Sequence, residues 1–250
     1  MPLIQAVERA LNILELFNEQ KVELNLAEIS QQTGLHKSTL HSLLKTLQAQ
    51  GYIEQTEANA PYRLGVKLLE RGYLVQRSRD FIAVARPYLE KLSEETGQTV
   101  HLGVLDGKSG VYVDKVEGTR SIIVYSRIGR RMPIHTTAIG KVLLAFQSPA
   151  VIGKTLDGYD FASSTENTIT ECAVYEAALA KVRSDGFAVD EQENVRGCRC
   201  AAVPVWGHDR KLVAAISIST VVENVSMDEF KSFIEQLKTI GASVSHELGY

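Results

Sequence analysis

Apolar positions recur at a helical period through the first 96 residues and at a strand period directly afterwards, so the pattern divides the chain before any motif is considered. Over residues 4–17, Val7, Ala10, Leu11, Leu14 and Phe17 share one helical face, with Glu8, Arg9, Asn12 and Glu15 on the other. Asn25 is suited to cap a second helix over 26–33, with Glu28 three residues on completing a capping box, and Gly34 supplies a left-handed stop. A third helix over 37–50 buries Leu40, Leu43, Leu44 and Leu47. Its opposite side carries Ser38, Ser42 and Lys45, flanked by Thr39 and His41, with Lys37 in the first turn. All of these donate hydrogen bonds and none is acidic, as a face meeting phosphates and base edges requires; an ordinary solvated face is the alternative reading. Short extended runs over 52–55 and 62–64 bracket the turn-rich 56–61, a hairpin that would add Tyr62 and Arg63 as phosphate contacts.

A linking helix over 65–76 holds more apolar residues, among them Val66, Leu69, Tyr73 and Val75, than a lone solvated helix needs, and pairing with a second copy would bury them. After a further helix over 81–96, strands are predicted over 100–105, 111–116 and 122–125, the first two joined by a hairpin turn. Strands linked by hairpins and followed by helices imply an α+β domain built on a mostly antiparallel sheet. Thr136 or Thr137 can cap a helix whose first free amides belong to Ala138, Ile139 and Gly140, with Arg127, Arg130 and Arg131 just upstream. That combination is either an anion site or a plain capped helix beside solvated arginines. Further on, a hairpin of 198–205 with 212–220, turning at His208 and Asp209, would set Cys200 opposite Ser217 and Cys198 opposite Ser219. All four would share one face, suited to hydrogen bonding a polyhydroxylated ligand. Asp190 would accept from a ligand hydroxyl, and Arg127 or Arg130 would pair with its carboxylate. An amphipathic helix over 226–248 closes the sheet.

Charge complicates this picture. The chain of 250 residues carries a net −3, which over the whole molecule argues against nucleic acid. Residues 1–79 hold nine Lys/Arg against eight Asp/Glu, a balance of +1, and residues 80–250 hold eighteen against twenty-two, or −4. DNA contact must therefore come from a local patch. Three cysteines are too few and too odd in number for a disulfide framework, and Cys198-x-Cys200 with His208 supplies one tight spacing where structural zinc takes two. There is no HExxH pattern and no phosphate-cradling glycine loop. The expectation is a non-enzyme with no cofactor, no metal and no catalytic residue. With no signal-like amino terminus and no apolar run of bilayer length, the expected location is the cytoplasm.

The stretch LAEISQQTGLHKSTLHSLLKTLQAQGYIEQ, with the YRLG that follows, resembles the amino-terminal domain of the IclR family of bacterial transcriptional regulators, and GRRMPIHTTAIGKVLLA is similar to a motif of that family's effector domain. Taken with DEQEN before GCRCAAVPV, the chain looks closest to sugar-acid-responsive members. The resemblance implies a winged helix-turn-helix domain over 1–64, a dimerising linker helix over 65–79 and, over 80–250, a GAF/PAS-like effector-binding domain with an antiparallel sheet flanked by helices. It implies a small carboxylate held by the amides of Ala138 and Ile139 with Asp190, Cys200, Ser217 and Ser219, and a homodimer or dimer of dimers on a palindromic operator. A repressor of a sugar-acid operon is the reading; an activator of aromatic-acid catabolism, or a ligand- or redox-sensing protein that does not act on DNA, are the alternatives. Ile139 is bulkier than the alanine of some members, and Cys198 stands where an apolar residue is common.

Overall fold

The computed structural model describes residues 3–57, 60–77, 80–120 and 126–250, which fall into two compact units, Met1–Ser78 and Arg79–Tyr250. In the first unit α1 (Gln5–Leu14), α2 (Leu26–Thr33) and α3 (Lys37–Ala49) pack around Ile13, Leu24, Ile29, Leu40, Leu44 and Ile53. A small antiparallel sheet completes it, with β1 (Glu23–Leu24) and β2 (Ile53–Glu54) on either side of β3 (Tyr62–Leu64). The helix α4 (Lys67–Arg77) follows.

Local chemistry explains these boundaries. The Glu28 amide donates to Asn25 Oδ1 at 3.0 Å and the Asn25 amide to Glu28 Oε2 at 2.7 Å, so both orphan donors at the start of α2 are satisfied. Gly34 sits at φ +65°, a conformation that a side chain would oppose, and turns the chain into α3. The predicted face of α1 needs correcting. Ala10, Leu14 and Phe17 do pack inward, but Ile13 is the fully buried anchor, and Val7 and Leu11 are more than half exposed beside Ile4. The helix is apolar on two sides, and one core takes only one of them.

The second unit runs α5 (Asp80–Thr96), β4 (Thr99–Asp106), β5 (Ser109–Val116), β6 (Arg131–Pro133), α6 (Ala138–Ala145), α7 (Pro149–Leu156), α8 (Cys172–Asp185), β7 (Ala188–Glu191), β8 (Cys198–Trp206), β9 (Leu212–Val221) and α9 (Met227–Glu247). Among the described residues the strands form one antiparallel sheet in the order β6-β5-β4-β9-β8-β7. The strand predicted over 122–125 lies outside the described residues. Alternation along β4 and β8 assigns the faces: Val100, Leu102, Val104, Ala201, Val203 and Val205 meet α5 and α9, whereas Cys200 and Ala202 meet α6 and α8.

The hairpin register differs from the prediction. Cys200 pairs with Ser219, Cys198 with Val221 and Ala202 with Ser217. The turn spans Gly207 to Lys211, centred on Asp209, and a bulge between Val205 and Trp206 adds a second residue of offset. A shift of two residues keeps every side chain on its predicted face. Gly103 matters for the same face: a Cβ there would lie 2.8 Å from the tip of Ile139, so its absence lets the start of α6 settle onto the sheet.

Candidate functional site

Two groups of polar side chains stand out, one on each unit. On the first, Lys37, Ser38, Thr39, His41, Ser42 and Lys45 are all exposed along α3. Ser42 Oγ donates to the Ser38 carbonyl at 3.1 Å and Thr46 Oγ1 to the Ser42 carbonyl at 2.9 Å. No ion pair involves Lys37 or Lys45 among the described residues. The hairpin alongside behaves differently from expectation. Tyr62, predicted to reach phosphate, is 8% exposed and packs in the core, because alternation along β3 turns it inward and Arg63 outward. Arg63 Nε donates to Glu54 Oε1 at 2.8 Å across the β2–β3 pair, so the cation of this hairpin, the wing, has an acidic neighbour.

On the second unit, the N-terminus of α6 points its first turn at the sheet. Thr137 Oγ1 takes the Gly140 amide at 3.1 Å and donates to the Pro133 carbonyl at 2.8 Å, which leaves the amides of Ala138 and Ile139 untouched by the cap. Beneath them lies a cavity of about 10 Å³, walled by His101, Tyr112, Thr137, Ala138, Ile139, Asp190, Asn194, Cys200, Ser217 and Ser219. Six predicted effector residues, Ala138, Ile139, Asp190, Cys200, Ser217 and Ser219, thus meet at one place. Arg127 and Arg130 are exposed in the segment before β6 and do not line it. The Arg130 carbonyl accepts the Tyr112 amide at 3.1 Å, which puts Arg130 beside the wall rather than in it.

A polar frame fixes the walls. Asp190 Oδ1 accepts the amides of Glu193 and Asn194 at 2.6 and 3.3 Å, and Asn194 Oδ1 accepts Thr136 Oγ1 at 3.0 Å, tying the turn after β7 to the approach of α6. Lys141, one turn into α6, is 4% exposed; its Nζ reaches Glu193 Oε1 at 2.5 Å and the Val189 carbonyl at 2.9 Å. Before α6, Tyr159 Oη accepts the Ile134 amide at 3.2 Å and lies 2.9 Å from His135 Nδ1, while His135 Nε2 is 3.1 Å from the Ala162 carbonyl. Both nitrogens of His135 are therefore engaged in holding the chain.

Burial sets the charge of this cavity. It pushes the Asp190 carboxyl up to about 7, with the nearby Glu193 charge adding to the effect and Lys141 opposing it. It pushes His101 down to about 3, Lys115 contributing, so that imidazole is neutral. The Tyr112 phenol and the Cys200 thiol are both driven upward, and Cys200 Sγ donates to Ser219 Oγ at 3.2 Å. Apart from Asp190, which is about half ionised near pH 7, the walls are neutral donors and acceptors below a partly positive helix end, an arrangement suited to a small hydroxylated anion. Cys200, protonated and bonded to a hydroxyl, lacks the activation of a nucleophile.

Sequence reasoning missed His101, Tyr112 and Asn194 as wall residues. His101 reaches the wall because it pairs with Ser217 across β4 and β9 and so shares its face, a pairing that no local pattern in the sequence marks.

Comparison with known proteins settles the family. Residues 6–57 match the IclR helix-turn-helix domain and residues 73–246 match the bacterial transcriptional regulator IclR C-terminal domain. The chain belongs to the IclR family. It is 52% identical over 250 residues to the HTH-type transcriptional regulator XynR of Escherichia coli K12, covering 100% of this chain and 99% of that protein. It is 35% identical over 247 residues to the HTH-type transcriptional regulator KdgR of the same strain, with 99% and 94% covered. The crystal structure of the Thermotoga maritima IclR superposes with a TM-score of 0.80 at 32% identity, over 98% of each chain. As an IclR regulator the protein binds DNA through its first unit, the head, and α3 with its exposed polar face lies within the helix-turn-helix match. The cavity under α6 falls wholly within the IclR effector-domain match. No helix among the described residues is long and apolar enough to cross a membrane.

Proposed function

We propose that the protein is a dimeric repressor of a sugar-acid catabolic operon, released from its operator when a polyhydroxylated carboxylate occupies the cavity under α6. The observation that carries this reading is the composition of that cavity: a carboxyl, a thiol, two serines and an imidazole facing two amides of a helix start. The amides suit the acid group and the side chains suit successive hydroxyls. A cavity of about 10 Å³ holds roughly one water, so a five-carbon acid enters only as the walls part. That requirement links binding to conformation, because a ligand shifts an equilibrium by its differential affinity for the two states.

In this reading Lys37, Ser38, Thr39, His41, Ser42 and Lys45 of each head enter the major groove, with half-sites of a palindrome about one helical turn apart, and Arg63 contacts phosphate from the wing. Exposed apolar side chains on α1 and α4, among them Val7, Leu11, Leu69 and Tyr73, with Ile4 just before α1, are the surface that a second copy would cover. Fluorescence anisotropy with the promoter fragment upstream of the protein's own gene is the test. Sequence-specific binding that weakens steeply with salt, and is reversed by a tetrahydroxypentanoate but not by benzoate, is expected. Release by benzoate instead would transfer the protein to the aromatic-acid reading, and no sequence-specific binding would remove the operator.

A further inference from the structure

One buried polar atom in the cavity is not accounted for by the frame around it. His101 is 1% exposed, its Nε2 lies 2.7 Å from Ser126 Oγ, and its Nδ1 has no hydrogen-bond partner among the described residues. Its ring is held against Tyr112, the centroids 4.7 Å apart and the planes tilted by 38°, and both side chains belong to the cavity wall. A buried ring nitrogen without a partner is costly to keep and is seldom tolerated unless something completes it.

From this geometry we infer that His101 is a specificity-determining residue, whose Nδ1 hydrogen-bonds one hydroxyl of the ligand and makes the site reject the analogue lacking that hydroxyl. The inference rests on the effector-pocket reading given above. Ser126 fixes one side of the ring, and a neutral imidazole then offers either a donor or an acceptor on the other. A hydroxyl satisfies both cases, whereas a methylene satisfies neither. Burial and the neighbouring Lys115 keep the ring neutral at physiological pH, so this selectivity does not depend on capturing a proton. Tyr112 supplies the packing that stops the ring from swinging away to find another partner.

The experiment is calorimetric titration of the full-length protein with a tetrahydroxypentanoate and with each of its singly deoxygenated analogues, in the wild type and in His101→Phe. In the wild type one analogue is expected to bind about 10- to 100-fold more weakly than the parent, and in His101→Phe that gap should close to within about threefold while the other gaps persist. His101→Gln, which keeps a donor and an acceptor, should restore part of the gap. Should His101→Phe fail to fold, nitrogen-15 NMR of wild-type His101 decides: addition of the parent acid should shift Nδ1 and leave Nε2 nearly in place. Identical gaps in wild type and variant, or an Nδ1 resonance unmoved at saturation, would overturn the role of His101 while leaving the pocket intact. A wild type that binds none of these acids would overturn the pocket reading and this inference together.

Discussion

The polar face of α3 and the polar cavity under α6 are built from similar side chains and are kept ready by opposite means. On α3 the lysines, hydroxyls and imidazole stand in water, and only the leucines behind them hold the helix in place. Under α6 the functional groups are themselves buried and are positioned by other polar groups, Lys141, Glu193, Asn194 and Thr136, each of which is engaged in turn. The first surface can lose a residue without the fold responding. The second cannot, so binding and stability are coupled in the effector domain and separate in the head.

The largest test of that contrast is to remove one lysine from each. Lys141→Met should cost the effector domain about 3–5 kcal/mol, because Glu193, whose Oε2 is already buried without a partner, would be left as an uncompensated charge. Urea denaturation followed by the single tryptophan, Trp206 in β8, would report it. Replacing Glu193 by Leu in the same chain should recover much of the loss. Lys45→Met in the head should change stability by no more than about 0.5 kcal/mol yet lower the salt slope of operator binding by about one. A loss of stability at Lys45 matching that at Lys141 would erase the distinction.

The same contrast explains what could be read from the sequence. The head was legible because its signals are local: the Asn25–Glu28 capping box, Gly34 and the leucine spacing of α3 each act within a few residues. Where the head was misread, the cause was a choice between two apolar sides of α1, which sequence period alone cannot rank, and a one-residue alternation that turned Tyr62 inward. The cavity was legible only as separate parts. Ala138 and Asp190 were found through a helix start and an acidic run, but His101 and Tyr112 join them only through strand pairing with distant segments. The hairpin face survived a wrong register because the error was an even number of residues. Lys141 reads as one more charge on a helix until the turn after β7 is folded over it.

Next in size is a pH effect that only the buried surface should show. Asp190, at about 7 in the fold and near 3.8 in the unfolded chain, favours folding at low pH; its contribution is full below 3.8 and is lost as pH rises through 7. His101, at about 3 in the fold and 6.5 unfolded, works the other way; its contribution is full above 6.5 and is lost as pH falls toward 3. Between about 4 and 6.5 the two oppose each other, and above 6.5 Asp190 acts alone. Asp190→Asn should therefore stabilise the protein relative to wild type at pH 8, by an amount that shrinks to nothing near pH 4, as thermal melts across that range would show. A difference between the two proteins that is constant with pH would mean that the fold does not raise the Asp190 carboxyl, and the cavity would then hold a full negative charge already near neutral pH.

The smallest expected effect lies on the head and asks whether its exposed charges are as independent as the contrast requires. Arg63 and Glu54 are roughly half and two-fifths exposed, so their ion pair contributes at most about 1 kcal/mol to folding. Glu54→Gln removes a carboxylate beside the wing's cation and leaves a side chain of the same shape. Melting temperature should stay within about 1–2 °C of wild type, since a change of a few tenths of a kcal/mol moves a domain of this size no further. Operator affinity should rise about two- to fivefold at low salt, where phosphate would no longer compete with Glu54 for Arg63, and should converge on wild type as salt screens both interactions. Anisotropy at two salt concentrations is sufficient. Unchanged affinity with unchanged stability would mean that the wing does not touch the backbone, and recognition would then fall to α3 alone; weaker binding would mean that the Glu54–Arg63 pair orients the wing, making one part of the head as internally dependent as the cavity.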